Sequence, residues 1–445
     1  MPGPRVVPFH GDETLPKKVD VVVIGGGIVG VSTALELAEH GLKVAVCEKG
    51  GVGHEQSSRN WGWVRLSRRD PREIPLMIEA IRIWETLDKR LGRDTGYKKA
   101  SITFACATEK QFNTYADWNR YLEPYQIESR MLNGQEFAEM FPGLRNKPYG
   151  ALHTPGDGRA EPQKAAPAIA GAAREKGATI LTDCAVRGLE TSAGRVSGVV
   201  TERGLIECDA VVVAGGVWSN LFCQRYGIDV PQLNVMNSVL MTKPLEGGPE
   251  GALWTKAFSL RKRQDGGYTI ASGHENIVDI VPNSFRYGWK FLPSFKEEWR
   301  SLRFRLGGRF FEELRLSKHW EMDEASPFEY HRVLDPVPSK KYADGTLEKL
   351  AEAWPVFAKA QIAQRWGGYI DVLPDAIPII SAVASIPGFH IATGFSGHGF
   401  GIAPAAGRLM ADIVSGRPPI VDPTHFRFSR FSDGSKIELM PDMRQ

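Results

Sequence analysis

The stretch Val19–Gly50, VDVVVIGGGIVGVSTALELAEHGLKVAVCEKG, decides the fold class of this 445-residue chain. Residues 20–24 form an apolar run that predicts a strand buried on both faces. Apolar positions then recur at helical spacing from Ile28, and residues 42–47 predict a second strand. A strand, a glycine turn, a helix and a second strand form a nucleotide-binding βαβ unit, in which the helix start faces the phosphates.

The glycines of the turn follow the GxGxxG spacing, and each has a mechanical role. The first allows the tight turn, the second lets a pyrophosphate approach the backbone, and the third lets the helix pack against the strand. An acidic residue after the second strand is suited to bind the hydroxyl groups of an adenosine ribose. The residues that this unit contributes to a dinucleotide site are Gly25, Gly27, Ile28, Val29, Gly30, Glu48 and Lys49.

A second glycine-rich segment lies near the end of the chain, PGFHIATGFSGHGFGIAPAAGRLMADIVSG (387–416). It predicts a strand (His390–Thr393), an open glycine loop and a helix from about Ala403, whose start again attracts an anion. A cofactor that contacts both glycine segments must be long and carry its own reactive group. The chain has one dinucleotide fingerprint, whereas electron transfer from NADPH to a flavin normally needs two. We therefore expect a single FAD that takes electrons directly from the substrate.

The segments between the two glycine turns predict further helices and strands. The periodicity of the apolar residues and the turn residues define them. They are a helix (162–176), a strand (179–182), a β-meander in GRVSGVVTERGLIECD (194–209), a buried strand from Ala210, a hairpin in Trp254–Gly273 that turns at Asp265-Gly266, and a helix in PSFKEEWRSLRFRLGGRF (293–310).

Composition excludes several classes of protein. The chain is 42% hydrophobic and 24% charged, which is typical of a globular protein, and its net charge of +3 argues against a nucleic-acid binder. The basic runs RLSRRDPR (65–72) and SLRKRQ (259–264) are therefore interpreted as solvated faces. Five cysteines without a CxxC pair indicate reduced thiols and a cytoplasmic location. No apolar run reaches the ~20 residues of a membrane-spanning helix, and no metal site is predicted.

The chain as a whole resembles the D-amino acid oxidase, glycine oxidase and sarcosine oxidase superfamily of FAD enzymes. The resemblance runs in order through the opening motif, QSSRNWGWVR (56–65), GDGRAEPQKAAPAIAGAAREKGA (156–178), DAVVVAGGVWS (209–219), QRWGGYIDVLPDAIPII (364–380) and the second glycine segment. It implies α/β and α+β parts: a Rossmann-like FAD-binding domain (18–92, 150–230 and 362–425) interleaved with a substrate-binding domain built on a mostly antiparallel sheet (93–149 and 231–361), and a C-terminal tail (426–445).

In such enzymes the loop after the second strand runs from the pyrophosphate along the ribitol to the flavin ring. The resemblance thus implies that Ser57 and Ser58 bind phosphate or ribitol oxygens, and that the tryptophans of the loop pass beside the ring. The cofactor residues that it implies beyond the opening motif are Ser57, Ser58, Arg59, Asn60, Trp61, Gly62, Trp63, Val186, Ala214, Gly215, Trp218, Gly367, Gly394, Ser396, Gly397, His398, Gly399, Phe400 and Gly401.

The resemblance also implies a substrate site with two arginines. Arg65 and Arg365 fall where related enzymes bind the substrate carboxylate, and a planar guanidinium suits that group. His274 lies near the position of an active-site histidine, and these three residues are the predicted catalytic group. Trp63, Tyr268, Tyr369 and Trp254 are predicted lining residues. The alternative is that Trp61 and Trp63 are core residues and that Arg59 and Arg65 pair with acids outside this site.

The chain departs from the sarcosine oxidase pattern in three places. The segment that carries a flavin-linked cysteine in those enzymes has none here, so we expect non-covalent FAD. Gly401 replaces a carboxylate-binding lysine, and an oxygen-activating lysine is missing near Thr269 or Ile270.

The expected reaction is oxidation of a C–N bond in a small amino acid, an N-substituted glycine or an imino diacid such as iminodiacetate. The imine is then hydrolysed and O2 is reduced to H2O2. A dehydrogenase with a quinone or protein acceptor is the first alternative, and a flavin-binding assembly protein without turnover is the second. The sequence leaves the oligomeric state open.

Overall fold

The computed structural model describes residues 3–299 and 301–439 of the chain. Residues 440–445 of the predicted C-terminal tail lie outside the described residues. No helix of the described part is long and apolar enough to cross a membrane.

A six-stranded sheet, the nucleotide sheet, is built around the opening motif. Val21–Ile24 pairs in parallel with Val44–Cys47 on one side and with Ala210–Val213 on the other. The neighbouring strands are parallel except at one edge, where Ile379–Ala382 runs antiparallel. The order across the sheet is Ile379–Ala382, Phe389–Thr393, Ala210–Val213, Val21–Ile24, Val44–Cys47 and Thr179–Leu181.

Apolar side chains cover both faces of this sheet because alternate residues of a strand point in opposite directions. Val21 and Val23 belong to the core cluster that contains the helices Ile28–Glu39 and Gly399–Ser415. Val22 belongs to a second cluster, which contains the β-meander. Burial on both faces explains the continuous Val/Ile run of the sequence.

The larger sheet has ten strands and is mostly antiparallel, as expected for the substrate side. Its two parallel pairs are Ala252–Trp254 with Ile102–Cys106, and Asn276–Asp279 with Leu302–Arg305. The order across the sheet is Leu302–Arg305, Asn276–Asp279, Leu233–Thr242, Tyr268–Ala271, Ser259–Lys262, Ala252–Trp254, Ile102–Cys106, Gly150–Thr154 and Arg130–Asn133, with Ile362–Val372 paired to Leu233–Thr242.

Two small sheets and the helices complete the fold. The predicted β-meander is confirmed as Val186–Ser192, Arg195–Thr201 and Gly204–Glu207, and a second small sheet joins Trp63–Val64, Gly158–Arg159 and Lys98–Lys99. The α-helices are Ile28–Glu39, Gln56–Arg59, Ile74–Leu91, Glu109–Asn119, Gly134–Met140, Pro162–Glu175, Ser219–Gln224, Pro282–Tyr287, Leu292–Glu298, Gly308–Arg315, Pro327–Tyr330, Lys340–Ala353 and Gly399–Ser415.

Two predicted helix positions are wrong. The last helix begins at Gly399, four residues before the expected start, because its first turn is buried against the rest of the core and glycine there does not prevent helix formation. Within 293–310 a strand, Leu302–Arg305, follows the helix Leu292–Glu298 and precedes another helix. Pairing with Asn276–Asp279 stabilises that strand, and local periodicity does not contain this contact.

The two basic runs are not solvated faces. Arg68 and Arg69 are 7% and 2% exposed, and Arg261 is 1% exposed. Arg261 is paired with a buried carboxylate, Glu161. The interpretation failed because a charge pattern does not reveal which distant acids and rings the fold brings to it.

The domain ranges stay a prediction. All six strands of the nucleotide sheet come from the segments assigned to the FAD domain. Two further strands of those segments, Gly150–Thr154 and Ile362–Val372, lie in the larger sheet. A strand pattern alone does not say which sheet a strand joins.

Candidate active site

A cavity of about 450 Å³ lies where the carboxyl ends of the nucleotide sheet meet the larger sheet. Ile24, Cys47 and Val213 line it at the ends of parallel strands, and Asn237 and Val239 line it from the larger sheet. The carboxyl ends of parallel strands are the usual ligand position in α/β proteins.

Two helix starts open into this one cavity. The first is Gly27–Val29 and the second is Gly399–Gly401, which are distant in sequence. Neither start has a side-chain cap or an acidic residue in its first turn. Ile28 N donates to Ser57 Oγ at 2.8 Å, and the other N–H groups of the two first turns, together with the positive dipole ends, suit a ligand that carries negative charge at two places.

The dinucleotide motif has the expected geometry. Glu48 accepts hydrogen bonds from Gly26 N at 2.6 Å and Gly50 N at 2.7 Å, which holds its carboxylate beside the glycine turn. Burial raises the pKa of Glu48. A Cβ at Gly30 would lie 2.0 Å from the Gly25 carbonyl oxygen, so the third glycine is required for close helix packing. Ser57 Oγ accepts from Ile28 N at 2.8 Å, at the helix start.

These features fit FAD. The first helix start and Glu48 suit the pyrophosphate and the ribose. The second helix start suits the negative charge that a reduced flavin ring carries. A Cβ at Gly27 would meet Ser57 Oγ at 3.1 Å, so a side chain there would project into the phosphate cradle.

Most of the predicted cofactor residues line the cavity. They are Gly25, Gly27, Ile28, Val29, Glu48, Lys49, Ser57, Arg59, Asn60, Trp61, Trp63, Val186, Ala214, Gly215, Trp218, Ser396, Gly397, His398, Gly399, Phe400 and Gly401. The remaining predicted residues, Gly30, Ser58, Gly62, Gly367 and Gly394, do not line it. The expectation that Ser58 binds phosphate or ribitol oxygens is corrected, because its buried hydroxyl donates to the Glu55 carbonyl.

Two of the lining residues use their charged groups elsewhere. Arg59 donates to Asp335 at 2.5 Å and to the Gly367 carbonyl at 3.0 Å. Lys49 donates to Glu55 at 2.6 Å and lies over the Trp218 ring. For Arg59 the alternative interpretation, pairing with a distant acid, is therefore correct.

An aromatic wall stands beside the second helix start. It consists of Trp61, Trp63, Phe104 and Trp254, all of which line the cavity. Trp61 and Trp63 meet edge to face with ring centroids 5.2 Å apart, and Trp63 meets Phe104 at 5.9 Å. The buried Trp63 N–H has no hydrogen-bond partner among the residues that the structure describes. Trp63 thus belongs to the buried core cluster, Trp61 packs against that cluster while partly exposed, and both line the cavity.

Three arginines, Arg65, Arg68 and Arg69, form an arginine turn next to this wall, and all three line the cavity. The guanidinium carbons of Arg65 and Arg68 lie 5.4 and 5.6 Å from the Phe104 ring centroid. Among the described residues neither has a carboxylate within salt-bridge distance, although Arg65 donates to the Ser67 carbonyl. Burial and the neighbouring Arg69 and Arg68 lower the pKa of Arg65 well below its usual range.

Two buried carboxylates balance part of this charge. Asp157 accepts from Leu66 N at 2.6 Å and from the Ser67 hydroxyl, which fixes the shape of the turn. Burial raises the pKa of Asp157 to about 6. Glu73 lies 3.3 Å from His398 Nδ1, and burial with the nearby Arg69 lowers the pKa of His398 to about 4. His398 is therefore neutral at neutral pH.

The structure does not bring three other predicted site residues to the cavity lining. Arg365 donates to Asp344 at 2.5 Å, and its predicted role as a carboxylate clamp is corrected for that reason. Tyr268 donates to the Pro249 carbonyl within a separate core cluster. His274 follows the lining residues Ser272 and Gly273 but does not line the cavity itself. Tyr369 does line it, and its hydroxyl donates to Asp279 at 3.1 Å.

Sequence reasoning missed many lining residues, and the polar ones among them are His54, Glu55, Gln56, Arg68, Arg69, Ser219, Asn237, Ser272, Asn276 and Asp371. Asn237 Nδ2 donates to Asn276 Oδ1 at 3.0 Å. A signal was present for Asn237, because Asn237 and Val239 are two residues apart in the run LNVMNSVLMT (233–242), and residues two apart share a face when such a run forms a strand. The signal for the arginines was the run RLSRRDPR itself, which was interpreted as solvated.

Comparison with known proteins identifies the family of the chain. The model of the family DAO, FAD dependent oxidoreductase, matches residues 20–413. The structure of the L-amino acid deaminase of Proteus myxofaciens in complex with anthranilate is 34% identical, with a TM-score of 0.94 over 97% of both chains. The L-amino acid deaminase of Proteus vulgaris is 33% identical, with a TM-score of 0.91 over 95% of this chain and 100% of that chain.

Curated relatives extend the range of activities. The mitochondrial sarcosine dehydrogenase of Mus musculus is 25% identical over 94% of this chain and 42% of its own length. The glycine oxidase of Pseudomonas aeruginosa is 25% identical over 91% of this chain and 97% of its own length. The chain thus spans less than half the length of the sarcosine and dimethylglycine dehydrogenases that it matches.

Proposed function

The chain belongs to the DAO family of FAD-dependent oxidoreductases, and from this premise we propose that it catalyses the oxidative deamination of an α-amino acid. The product is the corresponding 2-oxo acid, and the amine leaves as ammonia. The similarity to two L-amino acid deaminases at 34% and 33% identity supports the L series.

The observation that carries this proposal is the charge balance at the arginine turn. In the described part of the chain, the buried carboxylates that act on the guanidinium groups of Arg65 and Arg69 are Asp157 and Glu73, so two negative charges face the three arginines of the turn. His398 is neutral, so one positive charge is left over. An amino acid whose amine is unprotonated carries one negative charge, and this is the form that can be oxidised at the C–N bond.

The same balance argues against an imino diacid. A dicarboxylate would bring two negative charges to a turn whose net charge is +1, and Arg365, the residue expected to supply a further cation, is paired with Asp344. We therefore propose a monocarboxylate substrate. The aromatic wall of Trp61, Trp63, Phe104 and Trp254 favours an apolar or aromatic side chain. The anthranilate bound by the P. myxofaciens enzyme is an aromatic amino acid of this charge.

In the proposed reaction the protein positions and desolvates the substrate. Arg65 and Arg68 bind the carboxylate as charge-assisted hydrogen-bond donors, and the aromatic wall excludes water from the reacting carbon. The chemistry that FAD would supply when bound is the acceptance of a hydride, two electrons and a proton, from that carbon. The neutral amine supplies the electron pair that forms the C=N bond, so no strong side-chain base is needed. Water then hydrolyses the imino acid.

An anaerobic screen tests the substrate class. The purified protein with FAD is mixed under argon with D- and L-amino acids, N-alkylglycines and imino diacids, and the flavin absorbance is followed. We expect bleaching with L-amino acids that have large apolar side chains, and slow or no bleaching with iminodiacetate. Bleaching by N-alkylglycines alone would contradict the proposal. The absence of bleaching by every compound would instead favour a flavin-binding protein without turnover.

We propose that FAD is held without a covalent bond. None of the five cysteines is positioned for a bond to the ring, since all five are buried and only Cys47 lines the cavity, at the nucleotide end. Acid precipitation of the yellow protein should leave the flavin in the supernatant. Flavin that stays with the pellet would contradict this.

The first candidate for the electron acceptor is O2, which would be reduced to H2O2. A quinone or protein acceptor is the second candidate, because the oxygen-activating lysine of sarcosine oxidase-like enzymes is missing near Thr269 or Ile270. Peroxide formed under air, compared with the reduction of a quinone analogue under argon, distinguishes the two. Peroxide formed at a rate equal to the deamination rate supports O2.

A further inference from the structure

His398 and Glu73 form a buried pair at the second helix start. His398 directly precedes the helix Gly399–Ser415, and Glu73 directly precedes the helix Ile74–Leu91. Although the two residues are distant in sequence, Glu73 Oε2 lies 3.3 Å from His398 Nδ1. Glu73 is fully buried, and His398 lines the cavity. The pair therefore connects the interior of the protein to the cofactor cavity.

The Glu73 carboxylate is charged although it has few partners. Among the described residues, His398 is the one basic side chain within 4 Å of its oxygens, and neither oxygen accepts a hydrogen bond of good geometry. Burial opposes the charge, but His398 and the nearby Arg69 and Arg65 outweigh burial and lower the pKa of this carboxyl. Arg69 itself donates to the carbonyl groups of Arg65 and His398. A buried carboxylate that lacks donors is costly, so it calls for a functional explanation.

The two nitrogens of the His398 ring have different surroundings. Nδ1 is buried against Glu73, and the ring lines the cavity, so Nε2 is the nitrogen that is left for the cavity side. A neutral ring that donates from Nδ1 to a carboxylate keeps Nε2 as an acceptor. Nε2 can therefore take up a proton while the Glu73 carboxylate stabilises the resulting imidazolium.

The groups around His398 keep its ring neutral before any further charge enters the cavity. Burial is the main cause of its low pKa of about 4; Arg69 also lowers it, Glu73 raises it and Arg65 lowers it. The first turn of its own helix contains no acidic residue. Asp157, a further titratable group that contacts the arginine turn, has a pKa of about 6. A negative charge that appears beside His398 would favour the imidazolium, because an opposite charge stabilises the charged form of a titratable group.

Reduction of FAD creates a charge of this sign. Uptake of two electrons and one proton leaves the flavin ring with one negative charge, which the second helix start suits. We propose that His398 takes up a second proton when the flavin ring is reduced, and that Glu73 holds this proton in place. Two electrons and two protons are then taken up in total, one proton by the ring and one by His398 Nε2. When the ring is reoxidised, His398 releases its proton to water. The inference requires FAD but does not rest on the proposed substrate.

The midpoint potential of the FAD-loaded protein tests this, measured against reference dyes from about pH 5 to about pH 9. A two-electron reduction with one proton changes its equilibrium constant tenfold per pH unit, or about 30 mV, and one with two protons changes it hundredfold, or about 60 mV. We expect a slope of about 60 mV below the pKa that His398 has in the reduced protein, and about 30 mV above it. The absorbance spectrum of the reduced flavin should stay that of the anionic ring on both sides of this bend, because the second proton is on His398.

Two variants remove the two parts of the pair. His398→Asn keeps a polar residue that can cap the helix but has no titrating ring, so its slope should be about 30 mV per pH unit over the whole range. Glu73→Gln keeps the ring but removes the charge that holds the proton. Its bend should therefore move to lower pH by at least about one unit, a tenfold loss of proton affinity.

The matched control is Asp157→Asn, which removes the other titrating carboxyl near the arginine turn. Its bend should stay within about half a pH unit of that of the unchanged protein. The flavin spectrum of each variant before reduction verifies that the variant is folded and loaded with FAD. If His398→Asn binds no FAD, the unchanged protein and Glu73→Gln decide the outcome.

Three results would overturn the proposal. One is a slope of about 30 mV per pH unit over the whole range in the unchanged protein. Another is a change in the spectrum of the reduced flavin at the pH of the bend, because the ring itself would then take up the second proton. The third is a bend that is kept in His398→Asn and lost in Asp157→Asn, which would assign the proton to Asp157.

Discussion

Arg68 combines an unusual backbone with an unusual side-chain environment. Its φ is +54°, in the left-handed region that costs a residue with a Cβ about 1–2 kcal/mol. Its guanidinium stacks 4.3 Å from the Tyr115 ring centroid, and 6.0 Å from that of Trp254. Strain of this kind persists where the surroundings fix it, and it is common at binding sites. The strained turn directs Arg68 into the cavity.

We expect Arg68→Gln to raise the KM for the amino acid substrate by about 10- to 100-fold, because a charge-assisted hydrogen bond contributes about 1.5–3 kcal/mol. The variant removes the charge but keeps a planar hydrogen-bonding group, and kcat should fall less than KM rises. Steady-state kinetics with the best substrate of the anaerobic screen measure both constants.

The matched control for this variant is Arg365→Gln. Arg365 is paired with Asp344 outside the cavity lining, so we expect KM to change less than about twofold, as for a surface ion pair. An equal rise of KM in both variants would contradict the assignment of the carboxylate to the arginine turn.

Asp157 predicts a pH dependence of stability. Burial raises its folded-state pKa to about 6, above the ordinary value of about 4, so the folded state binds more protons than the unfolded state between these values. The contribution of Asp157 to the free energy of unfolding is therefore largest below pH ~4 and falls as pH rises through ~6. Above that range the charged form is destabilising.

The variant Asp157→Asn has no such titration. As the pH rises from 4.5 to 7, the unchanged protein loses the contribution of Asp157 and the variant does not. We therefore expect the free energy of unfolding of Asp157→Asn to rise relative to that of the unchanged protein by up to about 2 kcal/mol. Urea unfolding with saturating FAD at the two pH values measures the difference. If the free energies of unfolding of the two proteins differ by the same amount at both pH values, Asp157 keeps an ordinary pKa in the folded protein.

At the scale of single residues, prediction from sequence succeeded where the backbone itself has a role. Gly25, Gly27 and Glu48 line the cavity as expected, because the tight turn needs glycine and the Glu48 carboxylate accepts from its N–H groups; their contacts with FAD stay a prediction. Arg365 and Arg68 were assigned to the wrong environments because a side chain of that length reaches in either direction, and its partners come from distant segments.

At the scale of elements, two helices that are distant in sequence line the same cavity. Ile28–Glu39 and Gly399–Ser415 pack against each other through residues of one core cluster. Their uncapped starts open to the same space, and this arrangement binds an elongated anion at two points. Damage to either start should weaken FAD binding more than it weakens the fold.

We test this with Gly25→Ala and its control Gly41→Ala. Both glycines have positive φ, +111° and +87°, so both variants are strained. Only at Gly25 does the added Cβ collide, lying 2.5 Å from the Ala214 carbonyl oxygen; at Gly41 nothing lies within 4 Å. Gly25→Ala should lose at least about tenfold in FAD affinity, or about 1.4 kcal/mol, and Gly41→Ala should keep it. Flavin fluorescence titration of the protein stripped of FAD measures the dissociation constants.

Helix positions that depend on burial were the least predictable elements. The second glycine segment was expected to stay a loop up to Ala403, but contacts of Phe400 and Ile402 with the core extend the helix to Gly399. Likewise, the strand Leu302–Arg305 exists because Asn276–Asp279 pairs with it.

A buried ion pair joins the parts of the whole molecule. Arg261, from the larger sheet, donates to Glu161, at the start of the helix Pro162–Glu175, at 2.8 Å. It also donates to the Trp61 carbonyl at 2.6 Å. The pair thus connects the larger sheet, the helix Pro162–Glu175 and the loop that carries Trp61.

Arg261→Met should destabilise the protein by about 3–5 kcal/mol, because it leaves the Glu161 carboxylate buried without its partner. Lys262→Met, which removes the neighbouring cation of a more exposed pair with Glu250, should cost less than about 1 kcal/mol. Urea unfolding of the FAD-loaded variants measures both. The double variant Arg261→Met/Glu161→Gln should recover part of the loss, and failure to recover any of it would show that packing around Arg261 is the larger effect.

The sequence by itself determined the nucleotide sheet, the glycine turns and the FAD-binding cradle, because strand burial, helix periodicity and backbone approach are local and each demands particular residue types. Only the tertiary structure decided which arginines face the substrate, where the last helix begins and which buried carboxylate meets His398. Those outcomes depend on ion pairs, ring contacts and strand pairings between segments hundreds of residues apart, and no local pattern encodes the partner.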